Sequence, residues 1–310
     1  MRVENTGEVP VRVTADPRLL SFDVTPPEQT DPKSGKTIKP KDLRCVLPPD
    51  ARPTTDEGQE LVVPAKRSWS FTFDPLYYCF GPRERAALTS GATITPHFGF
   101  PLPALKTKGK VAAPAAPFVA NPVGAAVGKV APAKDIVAAA FALTESPVAL
   151  PETAKPDDAN GVEPPVSVGT AESLDAMRGV DLGATVTLTN RSDRAVSLYF
   201  RPSTLVFTVN GPAGSVRCGA PQAATPIRDL FSTVGPKQKS SVSLLLSLVC
   251  PSDTFDEPGV YRVTAKVDTT TASGREFGLR SWDGVATAKT PMLLRVRNAR
   301  RARPARPALD

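Results

Sequence analysis

The sequence predicts an all-β protein made of two tandem antiparallel β-sandwich domains. Three observations lead to this prediction: an internal repeat, short runs of alternating apolar and polar residues about ten residues apart, and a high proline content. The 310 residues include 34 prolines, 41% apolar residues and 6% aromatic residues. Prolines spread along a chain disfavour long helices and favour many short elements joined by turns.

The repeat becomes visible when the sequence is shifted against itself by 185 residues. Residues 3–24 then align with residues 188–209 without a gap. After a change of register, 61–79 aligns with 232–250, and each of these segments ends in a cysteine. The aligned identities are Asn5/Asn190, Val11/Val196, Pro17/Pro202, Leu20/Leu205, Phe22/Phe207, Val24/Val209 and Arg44-Cys45/Arg217-Cys218. We therefore predict domains at 1–120 and 167–297, joined by an Ala/Pro-rich linker at 121–166.

The two predicted domains differ at their first strand. The second has room for an opening strand before its hairpin, whereas the first has only residues 1–4 before Asn5. One explanation is a misassigned or trimmed start, with the missing piece carrying any export signal. The other is that a different segment pairs with the open edge, because an unpaired strand invites strand addition. Residues 134–150 could supply that strand.

Further strand predictions come from periodicity. In 259–268, alternate residues are apolar and define one face, which favours a half-buried strand. Residues 242–249 are apolar apart from Ser243 and Ser247, which favours a central strand. In 61–79, Trp69, Phe71 and Phe73 share a face and are expected in the core. The polar, lysine-rich insertion at 25–43 is expected to be a long surface loop, and 155–165 an exposed part of the linker. The apolar face of the strand predicted at 259–268 consists of Tyr261, Val263, Ala265 and Val267.

The turn and core motifs carry a family resemblance. The stretch N-x-S-D-x-x-V-x-L-x-F occupies Asn190–Phe200, and it is followed by F-x-V at Phe207–Val209 and P-G-x-Y at Pro258–Tyr261. This pattern resembles bacterial immunoglobulin-like modules, and among them the bacterial intracellular proteinase-inhibitor family. The resemblance implies an immunoglobulin-like sandwich and, as one function, protease inhibition through an exposed loop such as 25–43. The paired cysteines are not part of that family pattern.

The four cysteines can pair in three ways. Only Cys45–Cys79 together with Cys218–Cys250 follows from the repeat, and each bond would stabilise its domain by about 3–4 kcal/mol by restricting the unfolded chain. The alternative is four buried thiols that act as small apolar residues. If the bonds form, the protein matures in the periplasm or outside the cell.

No catalytic or metal-binding constellation is recognisable. His97 is the only histidine and no cysteines are spaced C-x-x-C, so neither a zinc site nor a Ser-His-Asp arrangement is expected, and no cofactor is predicted. No apolar run is long enough to span a membrane. Much of the net charge of +7 lies in the tail, so we predict a disordered end at 298–310 and no specific nucleic-acid binding. From position 295 to the end, the arginines are Arg295, Arg297, Arg300, Arg301, Arg303 and Arg306.

The function predicted from these patterns is non-catalytic. We expect an extracytoplasmic binding or scaffolding protein whose partner is a protein or a component of the cell envelope. A protease inhibitor and an assembly chaperone are the alternatives, and the oligomeric state stays open. The candidate recognition residues are the aromatic side chains Tyr77, Tyr78 and Trp282, because aromatic residues are common at binding hot spots.

Overall fold

A computed structural model shows an all-β protein with two compact units. The described residues are 2–5, 7–30, 35, 37–38, 41–53, 60–88, 92–99, 106–107, 110–111, 118–120, 128–132, 137–141, 164–178, 182–219 and 226–297. Unit 1 contains the described residues up to Phe141, and unit 2 those from Pro164 to Arg297. Apart from one parallel pair, neighbouring strands in the described ranges are antiparallel, and this confirms the predicted fold class.

Unit 1 consists of fourteen strands and two short helices among the described residues. The strands are β1 (Arg2–Asn5), β2 (Val11–Thr14), β3 (Leu20–Thr25), β4 (Gln29–Thr30), β5 (Thr37–Ile38), β6 (Leu43–Val46), β7 (Glu60–Val63), β8 (Ser68–Ser70), β9 (Thr93–Phe98), β10 (Lys106–Thr107), β11 (Lys110–Val111), β12 (Phe118–Ala120), β13 (Gly128–Pro132) and β14 (Val137–Phe141). The helices are α1 (Pro75–Tyr78) and α2 (Pro82–Ala87).

The main sheet of unit 1 runs in the order β6-β3-β9-β12-β13-β14-β1-β8, and β2-β7, β4-β5 and β10-β11 form separate pairs. Its core combines Phe22 of β3 and Phe98 of β9 with the half-buried Trp69 of β8. The two ends of the sheet therefore pack against each other. Phe71 and Phe73 belong to the same cluster, as the shared face predicted.

In its described residues, unit 2 has eleven strands and one short helix. The strands are β15 (Val166–Thr170), β16 (Ser173–Met177), β17 (Gly183–Asn190), β18 (Val196–Leu198), β19 (Leu205–Gly211), β20 (Gly214–Gly219), β21 (Ser232–Val234), β22 (Lys239–Leu245), β23 (Gly259–Asp268), β24 (Val285–Thr287) and β25 (Met292–Arg297). The helix is α3 (Leu246–Val249).

Unit 2 has two main sheets that bury one core between them. One sheet has the order β15-β17-β22, and the other has the order β16-β25-β23-β19-β20 with β24 on β23, while β18 and β21 form a pair. Val186 and Leu188 of the first sheet belong to the same core as Phe207 and Val263 of the second. This is the packing of a sandwich. The alternation predicted for 259–268 is confirmed, because the four apolar residues of that face are buried along β23.

Two partly buried polar contacts stabilise the second sheet. The Tyr261 hydroxyl donates to the carbonyl oxygen of Glu257 at 2.5 Å, and burial raises its pKa to about 12. The parallel pair β16-β25 places Asp175 beside Arg295 and Arg297, whose Nε atoms lie 3.1 and 2.8 Å from its carboxylate. Burial by itself would raise the pKa of Asp175, but the hydrogen bonds and charges of the two arginines outweigh burial, and the pKa is lowered.

The prediction for one segment needs correction. The run 242–249 is not a central strand, because β22 lies at the edge of its sheet, ends at Leu245 and is followed by α3. Two strands, β13 and β14, lie within 121–166, and β14 pairs with β1, which agrees with the alternative that 134–150 supplies a strand to that edge. The insertion 25–43 contains the pair β4-β5, and its residues 31–34, 36, 39 and 40 lie outside the described residues. Residues 155–163 and the tail 298–310 also lie outside them.

Candidate functional site

Both predicted disulfide bonds are present. Cys45 is bonded to Cys79 and Cys218 to Cys250, and all four residues are buried. The first cysteine of each pair lies opposite a core phenylalanine on the neighbouring strand, and the second follows a single helical turn. The bonds therefore tie a short helix to a sheet in each unit and leave no free thiol.

The turns that follow β1 in unit 1 and β17 in unit 2 are built in the same way. Asn5 donates to the carbonyl oxygens of Val9 at 2.8 Å and Val63 at 3.0 Å. In unit 2, Asn190 donates to those of Arg194 at 2.7 Å and Val234 at 2.9 Å. These residues correspond in the sequence alignment of the predicted repeat.

A second pair of matched features lies beside these turns. Lys66 and Lys237 both have a left-handed backbone with φ of 58°. The Lys66 ammonium lies 2.8 Å from Glu8, and the Lys237 ammonium lies 3.1 Å from Asp193. These four residues are also aligned in the sequence, so the contacts support the repeat, which stays an interpretation of the sequence.

The two tyrosines proposed for recognition are not on a strand. They end α1, which begins with Pro75 after Asp74, whose carboxylate accepts from the Leu76 N–H at 2.9 Å. Tyr78 is only 4% exposed and its hydroxyl donates to the carbonyl oxygen of Pro17 at 2.7 Å. The prediction of Tyr78 as a recognition residue is therefore wrong.

Tyr77 is half-buried and also contributes to the interior of unit 1. Its ring contacts that of Tyr78 edge-on at 5.8 Å, and it packs against the unit 1 core. Burial raises the pKa of Tyr78 well above its usual value, with a smaller contribution from Tyr77, so the Tyr78 hydroxyl stays a neutral donor inside the fold. Both rings therefore contribute to the packing of unit 1.

Trp282 lies at one end of unit 2 and is half-buried against its core. The backbone N–H of Trp282 donates to the carbonyl oxygen of Ser197 at 2.7 Å, and the backbone carbonyl oxygen of Trp282 accepts from the Thr269 hydroxyl at 3.1 Å. A Cβ atom on Gly284 would lie 2.9 Å from the indole, so the ring packs directly on that glycine. The structure thus holds Trp282 in one place, as a cover over the end of the sandwich.

The loop that carries Trp282 is pinned by Asp283. Its carboxylate accepts from the hydroxyls of Ser281 at 2.5 Å and Ser273 at 2.7 Å, and Arg275 lies 3.6 Å away. The Ser281 hydroxyl also accepts from the Gly274 N–H at 2.8 Å. These contacts hold the loop in a defined conformation.

A neighbouring turn exposes apolar side chains. Ile227 is 55% exposed and Leu230 is 36% exposed. The guanidinium of Arg201 donates to the Leu230 carbonyl oxygen at 3.1 and 3.0 Å and so holds the turn in place. The next residue, Phe231, connects the turn to the Trp282 loop, because its ring lies 6.0 Å from that of Phe277.

We call residues 226–231 together with 273–282 the end surface of unit 2. It combines exposed apolar residues and half-buried aromatic rings with the exposed side chains of Arg228, Arg275 and Arg280. Aromatic residues and arginine are the types most enriched at protein-binding hot spots. The sequence analysis named Trp282 as a recognition candidate but did not name Ile227 or Leu230, since the stretch Pro-Ile-Arg-Asp-Leu-Phe has no pattern that separates exposed from buried apolar residues.

His97 lies in β9, and its Nε2 atom is 2.8 Å from the Asp23 carboxylate, which also accepts from Arg44 at 3.0 Å. The Ser21 hydroxyl accepts a hydrogen bond from Arg44 at 2.9 Å. Within the described ranges, no group of three or more potential ligand residues could hold a metal ion. None of the helices in the described part of the chain has the length and hydropathy of a membrane-spanning segment.

Comparison with known proteins adds little. No protein-family model and no curated protein matches the sequence. Red sea bream transglutaminase is a structural neighbour with 11% identity and a TM-score of 0.21 over 97% of this chain, which spans 28% of the enzyme's length. A second is the ASH/PapD-like domain 7 of human CEP192, with 14% identity and a TM-score of 0.20 over 46% of this chain and 92% of that domain. Likenesses of this size carry no argument about function.

Proposed function

We propose that this chain is a non-catalytic, extracytoplasmic protein that binds another protein through the end surface of unit 2. The proposal rests on one main observation: a pre-ordered turn exposes Ile227 and Leu230 beside a rigid loop of aromatic residues and arginines. Exposed apolar groups next to a fixed polar scaffold are typical of interaction sites.

The cysteines support the proposed location. All four are used in two disulfide bonds, one in each unit. Such bonds persist in the periplasm and outside the cell but are reduced in most cytoplasms. Titration of thiols in unfolded, unreduced protein, alkylated at the moment of cell lysis, should find none. Four free thiols per chain would contradict the extracytoplasmic location.

The chemistry of the end surface indicates the kind of partner. The apolar residues require an apolar patch on the other protein, and the three exposed arginines favour acidic groups around it. Asp229 and Glu276 are exposed nearby, so the surface is mixed in charge and not purely basic. This composition favours a protein partner over a polyanion such as a nucleic acid.

The binding proposal is tested by cross-linking the oxidised full-length chain to proteins of an envelope fraction. We expect the wild type to form defined cross-linked species and the Ile227→Asp/Leu230→Asp variant to lose them. Leu248→Asp is the matched control, because Leu248 is 75% exposed but lies in α3, outside the end surface. Equal capture by all three proteins would contradict the proposal. Protease inhibition stays a prediction from the family resemblance alone.

A further inference from the structure

The three-stranded sheet β15-β17-β22 of unit 2 has a counterpart in the strands β14-β1-β8 of unit 1. On the side of β22 and β8, the two sets of strands pair in the same register. In unit 2, β17 pairs with β22 so that Leu188 lies opposite Ser240. In unit 1, β1 pairs with β8 so that Val3 lies opposite Trp69. Val3 and Leu188 precede Asn5 and Asn190 by two residues, and the asparagines make the same turn contacts. The central strands β1 and β17 are therefore equivalent.

The other side of the central strand is also filled in the same register. In unit 2, β15 lies antiparallel to β17 with Val166 opposite Asn190. In unit 1, β14 lies antiparallel to β1 with Val137 opposite Asn5. The two strands differ in chain order: β15 precedes its central strand, whereas β14 follows every other strand of unit 1.

We infer that Val137–Phe141 is a donor strand that completes unit 1 in the position that β15 occupies in unit 2. The edge of Arg2–Asn5 is then a strand-accepting site, and its ligand is a segment of the same chain. An unoccupied edge would expose unpaired N–H and C=O groups. β14 pairs these groups on one side and binds β13 on the other, where Val130 lies opposite Ala139. This inference concerns unit 1 and does not depend on the proposed function.

The register provides the first test, made on the oxidised full-length chain. Cross-strand partners are close enough for a disulfide bond, whereas diagonal neighbours about 7–8 Å apart are not. We expect an added bond, mapped by mass spectrometry, in Glu4→Cys/Ala138→Cys or in Val3→Cys/Ala139→Cys. The diagonal control Glu4→Cys/Ala140→Cys should give about tenfold less. Equal yields in all three, or bonds that join two chains, would overturn the inference.

The second test supplies the strand in trans. Ala139→Pro removes a backbone donor from a strand that is paired on both sides, so it should release the edge of β1. A synthetic peptide of residues 134–144 should then bind this variant at least about tenfold more tightly than the wild type, whose edge is occupied. Fluorescence of Trp69, which lies on the neighbouring strand β8, reports the binding. A peptide that binds both proteins equally, or neither, would overturn the inference.

Discussion

The turn after β17 allows a quantitative test of the unit 2 fold through Asn190→Ala. The Asn190 side chain is fully buried, and its amide donates to the carbonyl oxygens of Arg194, Val234 and Gly235 at 2.7, 2.9 and 3.0 Å. Its own oxygen accepts from the Ser192 N–H at 2.9 Å. One side chain therefore joins the turn to the end of β21.

The expected loss of stability follows from these contacts. Each internal hydrogen bond contributes about 0.5–1.5 kcal/mol, and a buried carbonyl left without a partner costs about 1–3 kcal/mol. Alanine removes all of the amide contacts, and the buried Val234 carbonyl oxygen then loses the hydrogen bond from the Asn190 amide. Because the three acceptors share two amide protons, the terms overlap, and we expect the free energy of unfolding of unit 2 to fall by about 2–4 kcal/mol.

Urea unfolding followed by tryptophan fluorescence measures this loss. The chain has two tryptophans, Trp69 in unit 1 and Trp282 in unit 2. In a Trp69→Phe background the signal comes from unit 2 alone. The midpoint should fall by about 1–2 M at a slope of about 2 kcal/mol per M, with the slope itself unchanged.

Two further variants separate the contacts of Asn190. Asn190→Asp keeps the acceptor oxygen but replaces the donors with a carboxylate facing carbonyl oxygens, so it should destabilise unit 2 more than alanine does at pH 7. Ser192→Ala removes only a hydroxyl and should cost less than about 1 kcal/mol. A loss below about 1 kcal/mol for Asn190→Ala would refute the reasoning.

Three other perturbations have defined outcomes. Cys218→Ser/Cys250→Ser should lower the stability of unit 2 by about 3–4 kcal/mol, measured as a fall of the Trp282 urea midpoint. Gly284→Ala places a methyl group against the indole and should shift the Trp282 emission to longer wavelength as the ring moves toward water. Asp175→Asn should flatten the acid limb of a plot of unfolding free energy against pH, because the lowered pKa of Asp175 stabilises the native state.

Each of these outcomes has a control or a contrary result. Removal of the disulfide should leave the Trp69 transition of unit 1 in place, and loss of both transitions would show that the units are not independent. Gly183→Ala, where a Cβ meets nothing within 4 Å, should leave the Trp282 emission unchanged. The stabilisation by Asp175 is complete above the pKa of the unfolded chain and is lost as the pH falls through the lower native pKa. An unchanged acid limb in Asp175→Asn would contradict this assignment.

Local sequence patterns predicted part of the fold correctly. The alternation of 259–268 predicted β23, because a half-buried antiparallel strand requires one apolar and one polar face. The prediction of a central strand at 242–249 was wrong, since a mostly apolar stretch does not distinguish a strand from a helical turn. In the structure, the chain turns at Leu246 into α3 and brings Cys250 to Cys218. For α1, the signal was present in the sequence, where Asp74 and Pro75 are the residues that begin a helix.

The candidate site was less predictable. Trp282 was recognisable as a large aromatic residue in a turn, but Tyr78 resembled it and is buried. The difference arises from Pro17, which is far away in the sequence and whose carbonyl oxygen binds the Tyr78 hydroxyl. Ile227 and Leu230 are exposed on a turn whose Leu230 carbonyl oxygen accepts a hydrogen bond from Arg201. No neighbouring residue in the sequence indicates that contact.

The sequence by itself determined the all-β class and most of the core faces, and its repeat favoured the cysteine pairing that the structure shows. These properties depend on residue type and spacing, which are local or are repeated along the chain. Only the tertiary structure decided which apolar and aromatic residues face solvent, and that β14 pairs with β1. Burial and strand pairing result from contacts between segments far apart in the chain. Their energies therefore depend on the whole arrangement and cannot be predicted from any short stretch of residues.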